Sequence, residues 1–155
     1  MRVGIGYDAH RLVRGRPLVI GGVTVTHPTG LEGHSDADVL VHAIIDALLG
    51  AAALGTIGEH FPDDDPRYAG VSSLELLAMT AALVEDHGRS IVNVDSVVIA
   101  QRPRLQPHLA EMALRIAETL GLDQDLVGVK ATSPEALGAL GRQEGIAAQA
   151  VVLLE

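Results

Sequence analysis

The chain has 155 residues, 48% of them hydrophobic, with no cysteine and a formal charge of −9. That length and apolar fraction suit a single domain over residues 1–155 with a well-filled core, and the lack of thiols excludes a disulfide framework and a thiolate metal site. The acidity and an aromatic content of 2% argue against nucleic-acid binding, which draws on clustered Lys and Arg or on stacking rings.

A first strand is predicted from about Arg2 to Asp8, starting without the apolar core of a signal peptide, so a cytoplasmic location is expected. Pro17 to Val25 reads as a hairpin around Gly21-Gly22. Ser35, with Asp38 three residues on, is the expected N-cap of a helix ending near Gly55. The apolar run Val39 to Ile57 is nearly long enough to cross a bilayer. Asp46 at its centre would cost about 2.5–3.5 kcal/mol there, so a buried helix and no membrane span is the reading.

Phe61 to Pro66 is an acidic loop. Ser72 and Glu75 form a capping-box pattern for a second helix, with Leu74, Leu77, Ala78, Ala81 and Ala82 at helical spacing until Gly88. Ile91 to Ala100 is strand-like, and Gln101 to Pro107 breaks it before a third helix from about His108 to Leu120, stopped by Gly121. Val127 to Ala131 and Ile146 to Leu154 supply two more strands, separated by Ser133-Pro-Glu135 and a glycine-rich turn. Interleaved strands and helices predict a two-layer α+β domain, a mixed sheet with helices on one face. The other face, and a last strand too apolar for water on either side, predict self-association.

The chemistry starts at Asp8 and His10, two apart in the opening segment, where the period of a strand turns both side chains to one side. His42, on the first helix, adds a third candidate ligand, the number found at a catalytic zinc with an open position. Asp38, His42 and Asp46 follow at spacings of four, and the two carboxylates are the expected hydrogen-bond partners behind a ligating His42. His34 and Ser35 lie at the expected helix start, where free amides receive a phosphate and where Ser35 also serves as a cap. Asp63 to Asp65 reads as a metal or hydroxyl-binding loop or simply as an exposed turn. Ala131 to Glu135 places two hydroxyls and a carboxylate at a short helix start, suited to a hard cation and its phosphate or to a capped turn. Arg142 clamps a phosphate or pairs with Glu144. On these residues alone a metal-dependent hydrolase and a non-catalytic metal-binding protein both remain open.

The segments Gly4-Ile-Gly-Tyr-Asp-Ala-His10, His34 to His42, Asp46 to Gly55, Phe61-Pro-Asp63, Ala100 to Leu105, Lys130-Ala-Thr132 and Gly141-Arg-Gln-Glu-Gly145 together span the chain. In that order they resemble the 2-C-methyl-D-erythritol 2,4-cyclodiphosphate synthase family of the non-mevalonate isoprenoid pathway. The resemblance implies a lyase that binds zinc through Asp8, His10 and His42 and a second cation, magnesium or manganese, through Glu135. It implies that the nucleotide and its phosphates are held by Ala100, Arg104, Leu105, Ala131, Thr132 and Ser133, and that His34, Ser35 and Asp63 face the methylerythritol phosphate. His34 and Ser133 are assigned catalytic roles, and Thr56, Ile57, Gly58, Phe61, Asp65, Ala139 and Arg142 substrate contacts. The expected substrate carries cytidine diphosphate and the product is CMP; the expected assembly is a homotrimer with active sites between subunits. Two positions depart from the pattern: Thr56 stands where the family has aspartate, and Ala139 where it commonly has phenylalanine, on the central cavity of the trimer.

Overall fold

The computed structural model describes all 155 residues. Five strands form one mixed sheet: β1 (Arg2–Arg14), β4 (Thr29–Leu31), β5 (Ile91–Ile99), β6 (Val127–Thr132) and β7 (Gly145–Leu154), in the order β4-β1-β7-β5-β6. Only β5 and β6 run parallel; β7 lies antiparallel between β1 and β5. Strands β2 (Leu18–Ile20) and β3 (Val23–Val25) form the expected hairpin, turning through Gly21 and Gly22 at φ 60° and 73°, the pair of positive φ values that a type I′ loop requires.

Three longer helices, α1 (Val39–Ala52), α3 (Ser73–Asp86) and α4 (Leu109–Leu120), make the second layer; α2 (Ile57–His60) and α5 (Gly138–Gly141) are single turns. The architecture is the expected α+β sheet with helices on one face. No helix is long and apolar enough to cross a membrane.

Alternation along β1 decides the layering. Gly4 and Gly6 face α1, while Val3, Ile5 and Tyr7 on the opposite side are 57–69% exposed. A Cβ on Gly4 would fall 2.0 Å from the Ala47 carbonyl oxygen, and one on Gly6 1.9 Å from that of Ala43. Only glycine permits this approach. It lays α1 flat on β1 and β7 and buries Leu40, Ile44, Leu48 and Leu49 completely.

Several predicted boundaries shift. The first strand runs on past Asp8 to Arg14, because β7 pairs with it through Arg11 and β4 through Arg14. Helix α1 begins at Val39, four residues after the expected cap at Ser35. Asp38 is the cap: its carboxylate accepts from the amide of Val41 at 3.1 Å and also from Gly21 at 2.9 Å and Gly22 at 2.7 Å. One buried side chain thus closes the helix end and ties the hairpin to it. In the second helix Ser72 occupies the N-cap position without a side-chain cap bond, and Ala78 and Ala82 face solvent; Leu76, Leu77, Thr80, Ala81 and Val84 form the buried stripe.

Candidate metal and nucleotide site

The strand period carries the Gly4, Gly6 face onward to Asp8 and His10, and α1, pressed onto that face, delivers His42 beside them. Asp8 Oδ2 lies 2.8 Å from His10 Nε2 and 3.1 Å from His42 Nδ1, and the two nitrogens are 3.2 Å apart. That triangle is close to the roughly 3.3 Å edge of a tetrahedron with zinc–ligand bonds of about 2.0–2.1 Å. The three side chains are 12–27% exposed, so the triangle is open on one side.

Hydrogen bonds behind the ligands agree with this use. His10 Nδ1 donates to the Glu32 carbonyl at 2.6 Å; a carbonyl only accepts, so in the neutral ring Nε2 keeps its lone pair toward the triangle. Burial acts to raise the carboxyl of Asp8, but the hydrogen bonds and charge that His10 and His42 supply when their rings are protonated prevail and hold it well below the usual carboxylate range. Burial acts to lower His10, yet Asp8 and the Glu32 carbonyl together raise it above the ordinary histidine value. An anionic oxygen and two imidazoles, each with one nitrogen free, are a donor set that fits zinc.

The triangle opens into a cavity of about 410 Å³ lined also by His34, Ser35, Ile57, Gly58, Phe61, Pro62, Asp63, Tyr68 and Leu76. A separate recess of about 300 Å³ is lined by Ala100 to Gln106 and by Ala131, Thr132 and Ser133. The two share no residue. Thr56, Asp65, Glu135, Ala139 and Arg142 line neither. Thr56 is exposed and its amide donates to Glu59. Asp65 pairs with Arg67, and its carbonyl accepts from His34 Nε2 at 2.9 Å. Arg142 pairs with Glu144 at 2.9 Å.

Three local expectations are corrected. His34 and Ser35 do not stand at a helix start: α1 begins at Val39, and its first turn is buried and capped by Asp38, so its amides are not open to solvent. The two residues reach the cavity from the preceding loop instead. Glu135 opens no helix; its amide donates to Ser133 Oγ at 3.0 Å in a capped turn with φ 53°. Asp38 and Asp46 do not support His42. Asp38 is spent on three amides, with burial pushing its carboxyl up to about 6, and Asp46 accepts from the Ile57 amide at 2.7 Å.

The groups that do touch His42 Nε2 are the hydroxyls of Ser73 at 2.9 Å and Ser35 at 3.2 Å. Ser73 in turn donates to Asp36. Sequence reading missed both Ser73 and Asp36. Asp36 lay inside a motif already singled out, whereas Ser73, 31 residues from His42, sent no local signal.

An α+β layer pair with an Asp-His-His cluster that could hold a metal ion in one cavity, and a second recess at its strand ends, has the form of a small-molecule enzyme site. The chain belongs to the YgbB family, whose model matches residues 1–155. A relative from Syntrophomonas wolfei named 2-C-methyl-D-erythritol 2,4-cyclodiphosphate synthase is 58% identical over 155 residues, covering 100% of this chain and 99% of its own. A solved 2C-methyl-D-erythritol-2,4-cyclodiphosphate synthase, bound form CDP, superposes with a TM-score of 0.91 at 40% identity, over 99% of this chain and 100% of that one. The bifunctional IspDF from Campylobacter jejuni superposes with a TM-score of 0.95 at 43% identity, over 99% of this chain and 42% of that longer one.

Proposed function

We propose that this chain, as one domain over residues 1–155, converts 4-diphosphocytidyl-2-C-methyl-D-erythritol 2-phosphate to 2-C-methyl-D-erythritol 2,4-cyclodiphosphate and CMP. This is a lyase step of isoprenoid precursor biosynthesis, placed in the cytoplasm. The observation that carries the reading is the Asp8, His10 and His42 triangle opening into a cavity that also holds His34, Ser35 and Asp63, in a chain 58% identical to a synthase of that name.

The 2-phosphate oxygen attacks the β-phosphorus and the bond to the CMP oxygen breaks, so no protein nucleophile is required. Attack within one molecule makes positioning the main contribution, worth up to about 7–11 kcal/mol. Asp63, Ser35 and His34 orient the methylerythritol phosphate, while Phe61, Ile57 and Leu76 form the apolar side of the cavity. In the recess, Ala100, Leu105 and Ala131 take the cytosine, and Arg104, Thr132 and Ser133 meet the phosphates. Zinc held by Asp8, His10 and His42 supplies a Lewis acid for a phosphoryl oxygen when bound. Glu135, exposed beside Ser133, would hold magnesium or manganese, which would supply charge neutralisation for the leaving CMP.

In the proposed assembly, a homotrimer, each nucleotide recess serves a neighbour's metal cavity; within one chain the two are separate. The apolar, exposed face of Val3, Ile5, Tyr7 and Val151 is the surface that supports such assembly.

Incubation with the cytidyl substrate, zinc and magnesium, with products separated by chromatography, tests the reading. Stoichiometric CMP and cyclodiphosphate are expected, and neither is expected from Asp8→Asn or His42→Ala with folding and assembly intact. Inorganic phosphate without CMP would instead identify a hydrolase.

A further inference from the structure

We infer that Ser73 and Asp36 form the device that fixes the ring of His42 with Nδ1 available to the metal, an inference that rests on the metal-site reading above. Asp36 is a carboxylate and can only accept, so the single hydroxyl hydrogen of Ser73 is committed to Asp36 Oδ1. The same carboxylate accepts from the Ser73 amide at 3.1 Å through Oδ2 and from the Asp38 amide at 3.2 Å through Oδ1, which leaves it no freedom to turn. Ser73 Oγ therefore faces His42 Nε2, 2.9 Å away, with lone pairs alone. The ring must donate there, which puts the neutral imidazole's hydrogen on Nε2 and its lone pair on Nδ1, 3.1 Å from Asp8 Oδ2 and 3.2 Å from His10 Nε2.

Ser35 does not supply this constraint. Its hydroxyl, 3.2 Å from Nε2, accepts from the Ala37 amide at 3.2 Å but has no acceptor holding its hydrogen away from the ring. Ser35 alone could donate to Nε2 and favour the opposite tautomer, with Nδ1–H given to Asp8. Nor is Ser73 a nucleophile: it is fully buried, lines no part of the cavity, and its hydrogen goes to a carboxylate rather than to the imidazole. It is a positioning residue. Outer partners of this type commonly change metal affinity by about 10–100-fold when removed.

Two readouts test the inference. In metal-free wild-type protein in alkaline buffer, two-bond proton–nitrogen spectra should show His42 with its hydrogen on Nε2; a predominant Nδ1–H form would overturn the inference without any variant. Zinc titration should then show Ser73→Ala and Asp36→Asn weakened by about 10–100-fold, with the metal-free melting temperature used to verify folding and the His42 spectrum shifting toward Nδ1–H. Wild-type zinc affinity in a folded Ser73→Ala protein would also overturn it. Asp8→Asn separates this failure from that of the underlying reading: if Asp8→Asn binds zinc as wild type does, the metal site itself is wrong and the inference falls with it.

Discussion

Gly6 of β1 lies directly beneath the Ala43 carbonyl of α1, so close that a Cβ on the glycine would sit 1.9 Å from that oxygen and 2.8 Å from the Ala47 amide nitrogen. The contact is backbone to backbone, so no rotamer change can relieve a side chain there. Gly6→Ala is expected to destabilise by about 1–3 kcal/mol, the usual range for overpacking. Because Gly6 is two residues before Asp8 and Ala43 directly follows His42, lifting the helix also spreads the ligand triangle. Denaturant midpoints and zinc titration on the same protein check both effects; unchanged zinc affinity in a destabilised variant would show that the triangle does not depend on this contact.

Zinc binding should strengthen with rising pH. His10 titrates above its ordinary 6.5, so a proton competes with metal at Nε2 up to and somewhat beyond that pH, whereas Asp8, held low, does not compete above about pH 4. Apparent affinity should climb by up to about tenfold per pH unit below the His10 value and level off above it. Stability of the metal-free protein runs the other way. A raised His10 contributes stability that is complete below 6.5 and lost as pH rises through its folded value, while the lowered Asp8 contributes above 3.8 and loses it in acid. Melting curves of metal-free protein should therefore favour the interval between these values, and excess zinc should remove the loss on the alkaline side. Calorimetric zinc affinities that stay flat between acidic and alkaline buffers would contradict this.

Asp38 has a structural task. Asp38→Asn offers one oxygen where three amides need two acceptors, and its NH2 group would face the Gly21 or Gly22 amide. A loss of about 1–3 kcal/mol is expected from the unsatisfied buried donor. Burial pushes the wild-type carboxyl from 3.8 up to about 6, and a raised folded value means its contribution is complete below 3.8 and declines as pH rises through 6. The advantage of wild type over Asp38→Asn should shrink across that interval. Chemical denaturation of both proteins at several pH values measures it, and a constant difference would contradict the shift.

Ile5 is 67% exposed on the bare sheet face, between Val3 and Tyr7. If copies of the chain pack there, Ile5→Glu buries a charge without a partner and should yield monomers by sedimentation, with CMP release lost although zinc is still bound. A trimer of unaltered activity would exclude this face.

The Asp8 and His10 pair was legible in the sequence because strand period is local: two residues apart means one face, whatever else the chain does. The Gly21-Gly22 hairpin and the α4 boundary before Gly121 were legible for the same kind of reason, since turn and stop chemistry resides in the residues themselves. His42 was found through its neighbours and the motif around it, and the whole motif order pointed to the family. What lay behind His42 was not legible. Spacings of four gave Asp38, His42 and Asp46 a common face, but Asp38 is the cap before the helix, and its surroundings are the hairpin amides. The β4 strand and the α2 turn escaped notice because segments of three and four residues owe their form to partners elsewhere in the chain. Tertiary structure alone decided the rest. It brought Ser73 onto His42 from 31 residues away and onto Asp36 from 37, and it bared one sheet face while Gly4 and Gly6 drew α1 down on the other. Hydrogen bonding at that distance in sequence depends on how the layers dock, and docking is set by the close approach of backbones rather than by the spacing of any one segment.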